Sequence, residues 1–213
     1  MMDKSYCIFD MDGTLVDSMP WWQGLGAEYL ERRGIGGDHR DAEEIQSMTM
    51  LQGAEHYMRR YRLPGPPEAI LEEMVELMGE HYRADVPLKA GTADFLEKLA
   101  GCGARMCVAT ATAEPMARAC LERLGIAKYF DFLLSCETLG VSKAKPHVYL
   151  ECARRLGCRP EEAAVFEDAL YAARTARGAG FYTVAVYDHS ARGDWVQLER
   201  LCHRAIRSWE ELL

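Results

Sequence analysis

Residues 6–18 read YCIFDMDGTLVDS. Four apolar residues, Tyr6–Phe9, run straight into Asp10 and Asp12, with Gly13, Thr14 and Asp17 after them. Aspartate is a poor strand former and is seldom buried without a partner. A buried strand, expected over residues 5–9, that ends in two carboxylates points to a site that wants negatively charged oxygen. Alternate residues of an extended chain face the same way. Asp10 and Asp12 can therefore reach one site if the chain stays near-extended between them, and Gly13 lets the backbone turn closely.

Downstream the pattern changes twice. Residues 17–85 read almost wholly as helix: apolar positions recur at three and four in WWQGLGAEYLERRGI (21–35), EEIQSMTMLQGAEHYMRRY (43–61) and PPEAILEEMVELMGEHYRADV (66–86). Proline opens the third, a position where a helix tolerates it, and Gly53 weakens the second. From residue 86 strands and helices alternate. The expected strands are 105–110, 131–136, 163–168, 182–188 and 204–208, with helices over 92–103, 113–126, 147–157, 169–180 and a terminal one in WEELL. Alternation of this kind predicts a doubly wound, Rossmann-like parallel sheet covered by helices. The expected organisation is an α/β core, residues 1–16 and 86–213, with a small α-helical bundle, residues 17–85, inserted after the first strand.

In open parallel sheets ligands bind outside the carboxyl ends of the strands. The residues expected there are Asp10, Asp12, Gly13 and Thr14; Thr110, Ala111 and Thr112; Glu137, followed by the lysine-bearing loop SKAKPH; and Glu167 with Asp168. Carboxylates from two strand ends can hold Mg²⁺, a hard ion that prefers oxygen. A hydroxyl and a lysine beside them can neutralise and orient a phosphoryl group. One aspartate can then be a nucleophile and another a general acid and base.

These residues resemble the motifs of the haloacid dehalogenase superfamily. Its first motif, DxDGT, is similar to Asp10–Thr14. Its second, a Ser or Thr ending a strand, is similar to Thr110. Its lysine, often followed by proline, is matched to Lys145-Pro146, with Lys143 as the alternative. Its terminal acidic pair is matched to Glu167-Asp168. The resemblance implies that Asp10 is nucleophile and metal ligand, and that Asp12 is the acid/base with its backbone carbonyl on the metal. It implies Thr110 and Lys145 as catalytic phosphate binders, with Gly13, Thr14 and Ala111 beside them, and Asp168 and Glu167 as Mg²⁺ ligands. The helical insert resembles the cap of the β-phosphoglucomutase and phosphoglycolate phosphatase-like branch. Ala144 stands before the matched lysine where relatives often carry glycine, and Ala169 and Ala172 replace residues that often follow the fourth motif.

The expected activity is Mg²⁺-dependent hydrolysis of a small phosphomonoester, such as a sugar phosphate or phosphoglycolate, through an aspartyl-phosphate. Asp12 disfavours dehalogenation, since a carbon centre needs no protonated leaving oxygen. Residues 18–88 contain no lysine for a Schiff base. The alternatives are a phosphomutase, for which the cap arginines Arg32, Arg33, Arg40, Arg59, Arg60, Arg62 and Arg83 fall in no matching motif, and a receiver-like or idle module that binds a phospho-ligand without turnover.

Other residues carry plainer readings. Asp17 and Ser18 read as caps of the first cap helix. Trp21 and Trp22 read as packing, with the lining of a substrate pocket as the alternative, and the Met48–Met50 stretch as packing. His56, His81 and His147 lack metal-ligand spacing. The 213 residues are 49% hydrophobic with a net charge of −8, which disfavours nucleic acid as a partner. No apolar run approaches a membrane span, and no signal-like segment opens the chain. Eight cysteines without a Cys-x-x-Cys pair read as reduced structural thiols, so the expected setting is the cytoplasm. A monomer is the default expectation for the state of assembly.

Overall fold

The computed structural model describes residues 4–37, 44 and 48–213. Arg40, Glu43 and residues 45–47, which belong to the sequence expectations for the cap, lie outside the described residues. Two compact units divide the chain: Met1–Ser18 with Val86–Leu213, and Met19–Asp85. The first boundary falls two residues later than the hydrophobic pattern suggests. Val16 bridges to Leu88, and the Asp17 amide donates to the Pro87 carbonyl at 3.0 Å, so the outgoing and returning strands of chain stay paired up to that point.

In the larger unit the strands are β1 (Tyr6–Phe9), β2 (Arg105–Thr110), β3 (Phe132–Ser135), β4 (Ala163–Glu167), β5 (Tyr182–Val186) and β6 (Arg204–Ile206). They form one parallel sheet in the order β3-β2-β1-β4-β5-β6. β1 lies at its centre, in register with β2 (Phe9↔Val108) and β4 (Phe9↔Phe166). The chain winds outward from β1 to β3 and then crosses back to β4, so the topological switch point lies between β1 and β4. Strands buried on both faces have no reason to alternate in polarity, which is why CIF and AAVF read as continuous apolar runs.

The two faces of β1 separate cleanly. Ile8 packs with Cys107, Val165 and the inner side of α7 (His147–Leu156), through Val148, Tyr149 and Cys152. Phe9, one residue on, points to the opposite face. There it stacks on Phe166 with ring centroids 4.5 Å apart and meets Phe95 of α4 (Thr92–Gly101) and Trp209. The remaining helices of this unit are α5 (Glu114–Arg123), α6 (Cys136–Leu139), α8 (Leu170–Gly178) and α9 (Trp195–Leu201). Helix ends follow local chemistry: Pro115 enters in the first turn of α5, and α6 and α7 stop at Gly140 and Gly157, both with positive φ.

Some boundaries differ from expectation. Cys136 opens α6 instead of closing β3, because the Ser135 hydroxyl caps the turn by accepting the Glu137 amide at 3.2 Å. The C-terminal WEEL is a 3₁₀ turn, Trp209–Leu212, anchored by Trp209, which is wholly buried.

The smaller unit contains α1 (Met19–Arg32), α2 (Met50–Tyr61) and α3 (Pro67–Ala84). Their apolar stripes meet through Leu25, Tyr29, Leu30, Tyr57, Met74 and Met78, all buried. Gly26 is required by packing: a Cβ there would stand 2.0 Å from the Tyr57 hydroxyl. Thr49 and Gln52 form a reciprocal capping box at the start of α2, whereas Met48 and Met50 beside it are exposed and do not fill the packing role the sequence suggested. Among the described residues no helix is long and apolar enough to cross a membrane.

Candidate active site

Strand ends at the switch point bring three acids together. Asp10 follows β1, Glu167 closes β4 and Asp168 comes next. A carboxylate oxygen from each lies within 4.8 Å of the others, and all three residues are buried. The ladder continues into this exit, with the Asp10 amide donating to the Phe166 carbonyl at 3.0 Å. The arrangement therefore rests on the sheet.

The lysine in this cluster is Lys143. Its ammonium donates to Asp10 Oδ1 and, at 2.7 Å, to Glu167 Oε1, and the residue is only 4% exposed. Lys145, which the following proline singled out, is exposed on the same loop. The physical reason is local. Pro146 is the N-cap of α7, so that proline marks the helix start, and the tight turn from Ser142 to Lys145 separates the two lysines by direction. Of the two lysines, the structure sets Lys143, the alternative of the pair, against the acids and leaves Lys145 exposed. Burial works against the Lys143 ammonium, yet the Asp10 and Glu167 charges hold its pKa above the ordinary lysine value.

The carboxylates show the opposite strain. Burial, with the nearby Asp10 charge, pushes Glu167 up to about 7, against the pull of Lys143 and the Tyr149 hydroxyl. Asp168 is raised well above the usual carboxylate range by burial and then by Asp10 and Glu167. Tyr149, buried on α7, donates to Glu167 Oε1 at 2.7 Å, the oxygen that Lys143 also engages. Asp10 Oδ2 is buried with no hydrogen-bond partner. Crowded carboxylates with one counter-charge and one orphaned oxygen fit a divalent hard cation, which would supply the missing positive charge.

Asp12 is held by two hydroxyls. Ser18 Oγ donates to its Oδ1 and Thr112 Oγ1 to its Oδ2, each at 2.7 Å. Thr112 is itself steadied by Ser135, whose hydroxyl donates to its carbonyl at 2.8 Å. The Ser18 hydroxyl therefore serves Asp12. Thr110 ends β2 and is fully buried, its hydroxyl accepting the Thr112 amide at 3.0 Å. Gly13 takes φ +78°, the left-handed turn that its lack of a side chain permits. Thr14 is buried with its hydroxyl unpartnered, while Ala111 is exposed. Glu137 is exposed on α6 and has no part in the cluster.

Sequence reasoning placed Thr112 at the strand exit without giving it a role, and it missed Ser18, Ser135 and Tyr149 as members of this cluster. Thr112 alone carried a signal, being two residues past Thr110 at a strand exit. The contribution of Tyr149 depends on how α7 docks, which no local pattern encodes.

A family model for haloacid dehalogenase-like hydrolases matches residues 5–180. The fructose-1-phosphate phosphatase YqaB of Escherichia coli (strain K12) is 31% identical over 186 residues, covering 84% of this chain and 94% of that protein. A phosphorylated carbohydrates phosphatase of Thermotoga maritima is 27% identical over 205 residues, 90% of this chain and 89% of the relative. Among solved structures, a putative β-phosphoglucomutase from Thermotoga maritima superposes with a TM-score of 0.84 at 25% identity, covering 98% of this chain and 96% of that one. The matched span includes every strand end that carries an acid of the cluster, together with Lys143 and Asp12. By sequence and fold alike, the chain is an enzyme that belongs to the haloacid dehalogenase-like hydrolases.

Proposed function

We infer that the enzyme hydrolyses a small phosphomonoester, with Mg²⁺ as cofactor and Asp10 as nucleophile. The observation that carries this reading is the buried Asp10–Lys143–Glu167 cluster with Asp168 beside it, next to an Asp12 fixed by two hydroxyls. Asp10, Glu167 and Asp168 would hold the metal, which when bound supplies positive charge to the phosphoryl oxygens. Asp10 attacks phosphorus in line, forming an aspartyl-phosphate as the ester bond breaks. Asp12 gives its proton to the leaving oxygen and later takes one from the water that splits the intermediate. Lys143 balances the charge of Asp10 in the resting site and of the phosphoryl group during transfer. Thr110 and the turn at Gly13–Thr14 line the phosphoryl position.

The names of the relatives favour phosphorylated carbohydrates as the substrate class. A cytoplasmic setting fits eight cysteines that all stand as free thiols, of which Cys7 is pushed up to about 12 by burial. The mutase alternative finds little support in the cap. Arg32, Arg33, Arg59 and Arg83 each pair with a glutamate of the cap itself.

The test is phosphate release from a panel of esters, with Mg²⁺ or chelator, and with Asp10→Asn as blank. The panel holds hexose and pentose phosphates, hexitol phosphates, phosphoglycolate, nucleotides and β-glucose 1-phosphate, the last also assayed for its 6-phosphate isomer. Metal-dependent release above the blank is expected. Isomer without release would replace hydrolysis by mutase activity, and neither product would sink both.

A further inference from the structure

The chain segment that returns from the cap carries a lysine that the reaction as described does not use. Lys89 is largely buried, its side chain 15% exposed, and it places its ammonium against three oxygens: the Gly13 carbonyl at 2.9 Å, the Tyr187 carbonyl at 2.7 Å and Asp188 Oδ2 at 2.7 Å. An ammonium has three protons, so its capacity is filled. Asp188 lies just beyond β5, its side chain 3% exposed, and its other oxygen accepts the Ser190 amide at 2.8 Å and the Ser190 hydroxyl at 2.6 Å. The carboxylate is therefore fully engaged as well.

Gly13 follows Asp12 directly. The next two carbonyls are also held from outside the turn: Thr14 by the Trp209 indole N–H at 3.1 Å, Leu15 by the Lys89 amide at 3.0 Å and the Thr92 hydroxyl at 3.1 Å. Of these three carbonyls, the one gripped by a charge is that of Gly13. It belongs to the peptide after a glycine at φ +78°, the point of the loop with the least steric restraint of its own. A charged donor at that peptide removes the freedom that the glycine leaves.

We propose that Lys89 is a positioning residue of this hydrolase, clamping the Gly13 carbonyl to the end of β5 so that Asp12 stays in its proton-transfer geometry. The proposal rests on the phosphatase reading above for the role of Asp12, but the clamp itself can be read without turnover. The competing account is that Lys89 merely neutralises buried Asp188. The two accounts part when both charges are removed together. Lys89→Met alone leaves a buried carboxylate unpaired and destabilises the protein on either account. Lys89→Met/Asp188→Asn removes that penalty but leaves the Gly13 carbonyl without its donor.

Thermal stability, hydrogen–deuterium exchange of peptides spanning residues 10–18, and kcat and KM are measured for wild type and both variants. The substrates are 4-nitrophenyl phosphate, whose leaving group needs little protonation, and a sugar phosphate, whose alkoxide needs it. Expected is that the double variant regains most of the melting temperature lost in Lys89→Met. It keeps faster exchange over residues 10–18 and a kcat on the order of tenfold or more below wild type on the sugar ester, with a smaller loss on the nitrophenyl ester. Recovery of kcat and of slow exchange along with stability would overturn the proposal, as would equal losses on the two esters. A wild type inactive on both esters with Mg²⁺ would overturn the phosphatase reading and the role given to Asp12, while the exchange data would still decide the clamp.

Discussion

Glu167 Oε1 receives two donors, the Lys143 ammonium and the Tyr149 hydroxyl, both from the stretch that leads into and through α7. A hydrogen bond to a charged acceptor contributes more than one between neutral groups, about 1.5–3 kcal/mol net. Tyr149→Phe keeps the ring that packs at 6.2 Å from Phe181 and removes only that bond. It should cost about 1.5–3 kcal/mol in urea denaturation with chelator present, and a change below about 0.5 kcal/mol would mean that this bond adds nothing net to stability. The two lysines of the loop can be separated in the same way. Lys143→Ala should lower kcat on the order of 10²–10³-fold, as when a preorganised charge at a reacting centre is lost. Lys145→Ala, at an exposed position, should change it by less than about fivefold. A reversal of those two effects in steady-state kinetics would restore Lys145 to the site.

At the scale of elements, the aromatic layer under β1 and β4 joins the sheet to α4 and to the C-terminal turn. Phe9 and Phe166 stack with planes 4° apart, and Trp209 lies 5.2 Å from Phe166 and 4.9 Å from Phe95. Phe166 is wholly buried, so Phe166→Ala should cost about 3–5 kcal/mol in chemical denaturation. In the helical unit, His81 of α3 ties two acids, Glu28 of α1 at 2.7 Å and Asp85 at 2.8 Å. Burial lowers its pKa, but the bonds and charges of Asp85 and Glu28 outweigh this and leave it raised. A raised histidine pKa contributes stability that is fully present below the unfolded value, about 6.5, and is lost as pH rises through the folded one. The melting-temperature gap between wild type and His81→Gln should therefore be wide at acidic pH and narrow at alkaline pH. A gap that widens with pH would mean that His81 is held neutral.

For the molecule as a whole, the decisive feature is that the sheet reverses its winding between β1 and β4, which sets Asp10 beside Glu167 and Asp168 although more than 150 residues separate them in sequence. The resting cluster is electrostatically frustrated, as the raised Glu167 and Asp168 show. A bound cation stabilises the folded state by mass action. Mg²⁺ at a hundred times its dissociation constant should stabilise the wild type by about 2.7 kcal/mol, read as a rise in melting temperature. Asp168→Asn should abolish that rise while leaving the metal-free protein as stable as wild type or more so, because a carboxyl whose ionisation burial and its acidic neighbours oppose is gone. A metal-induced rise that survives Asp168→Asn would remove this residue from the ligand set.

Much of this was legible in the chain because it is local. The apolar runs that end in Asp10, Thr110 and Glu167 mark strands and their exits at once, since a strand buried on both faces admits polar residues only where it leaves the sheet. The alternation after residue 86 and the 3.6-residue stripes of the cap follow from the same period-counting. What needed the tertiary structure was every choice between neighbours of equal local merit. Lys143 and Lys145 differ by two positions in one loop, and only the turn into α7 decides which ammonium is buried against Asp10. Ser18 reads in the sequence as a helix cap, and only the tertiary structure sets its hydroxyl on Asp12. Tyr149 and Lys89 act on oxygens 18 and 76 residues away, respectively. Sequence by itself determined the elements and the acids that end them, because those depend on the polarity of adjacent residues. Tertiary structure decided which side chains serve those acids, because hydrogen bonds and ion pairs are set by distances between elements, and no local pattern contains those.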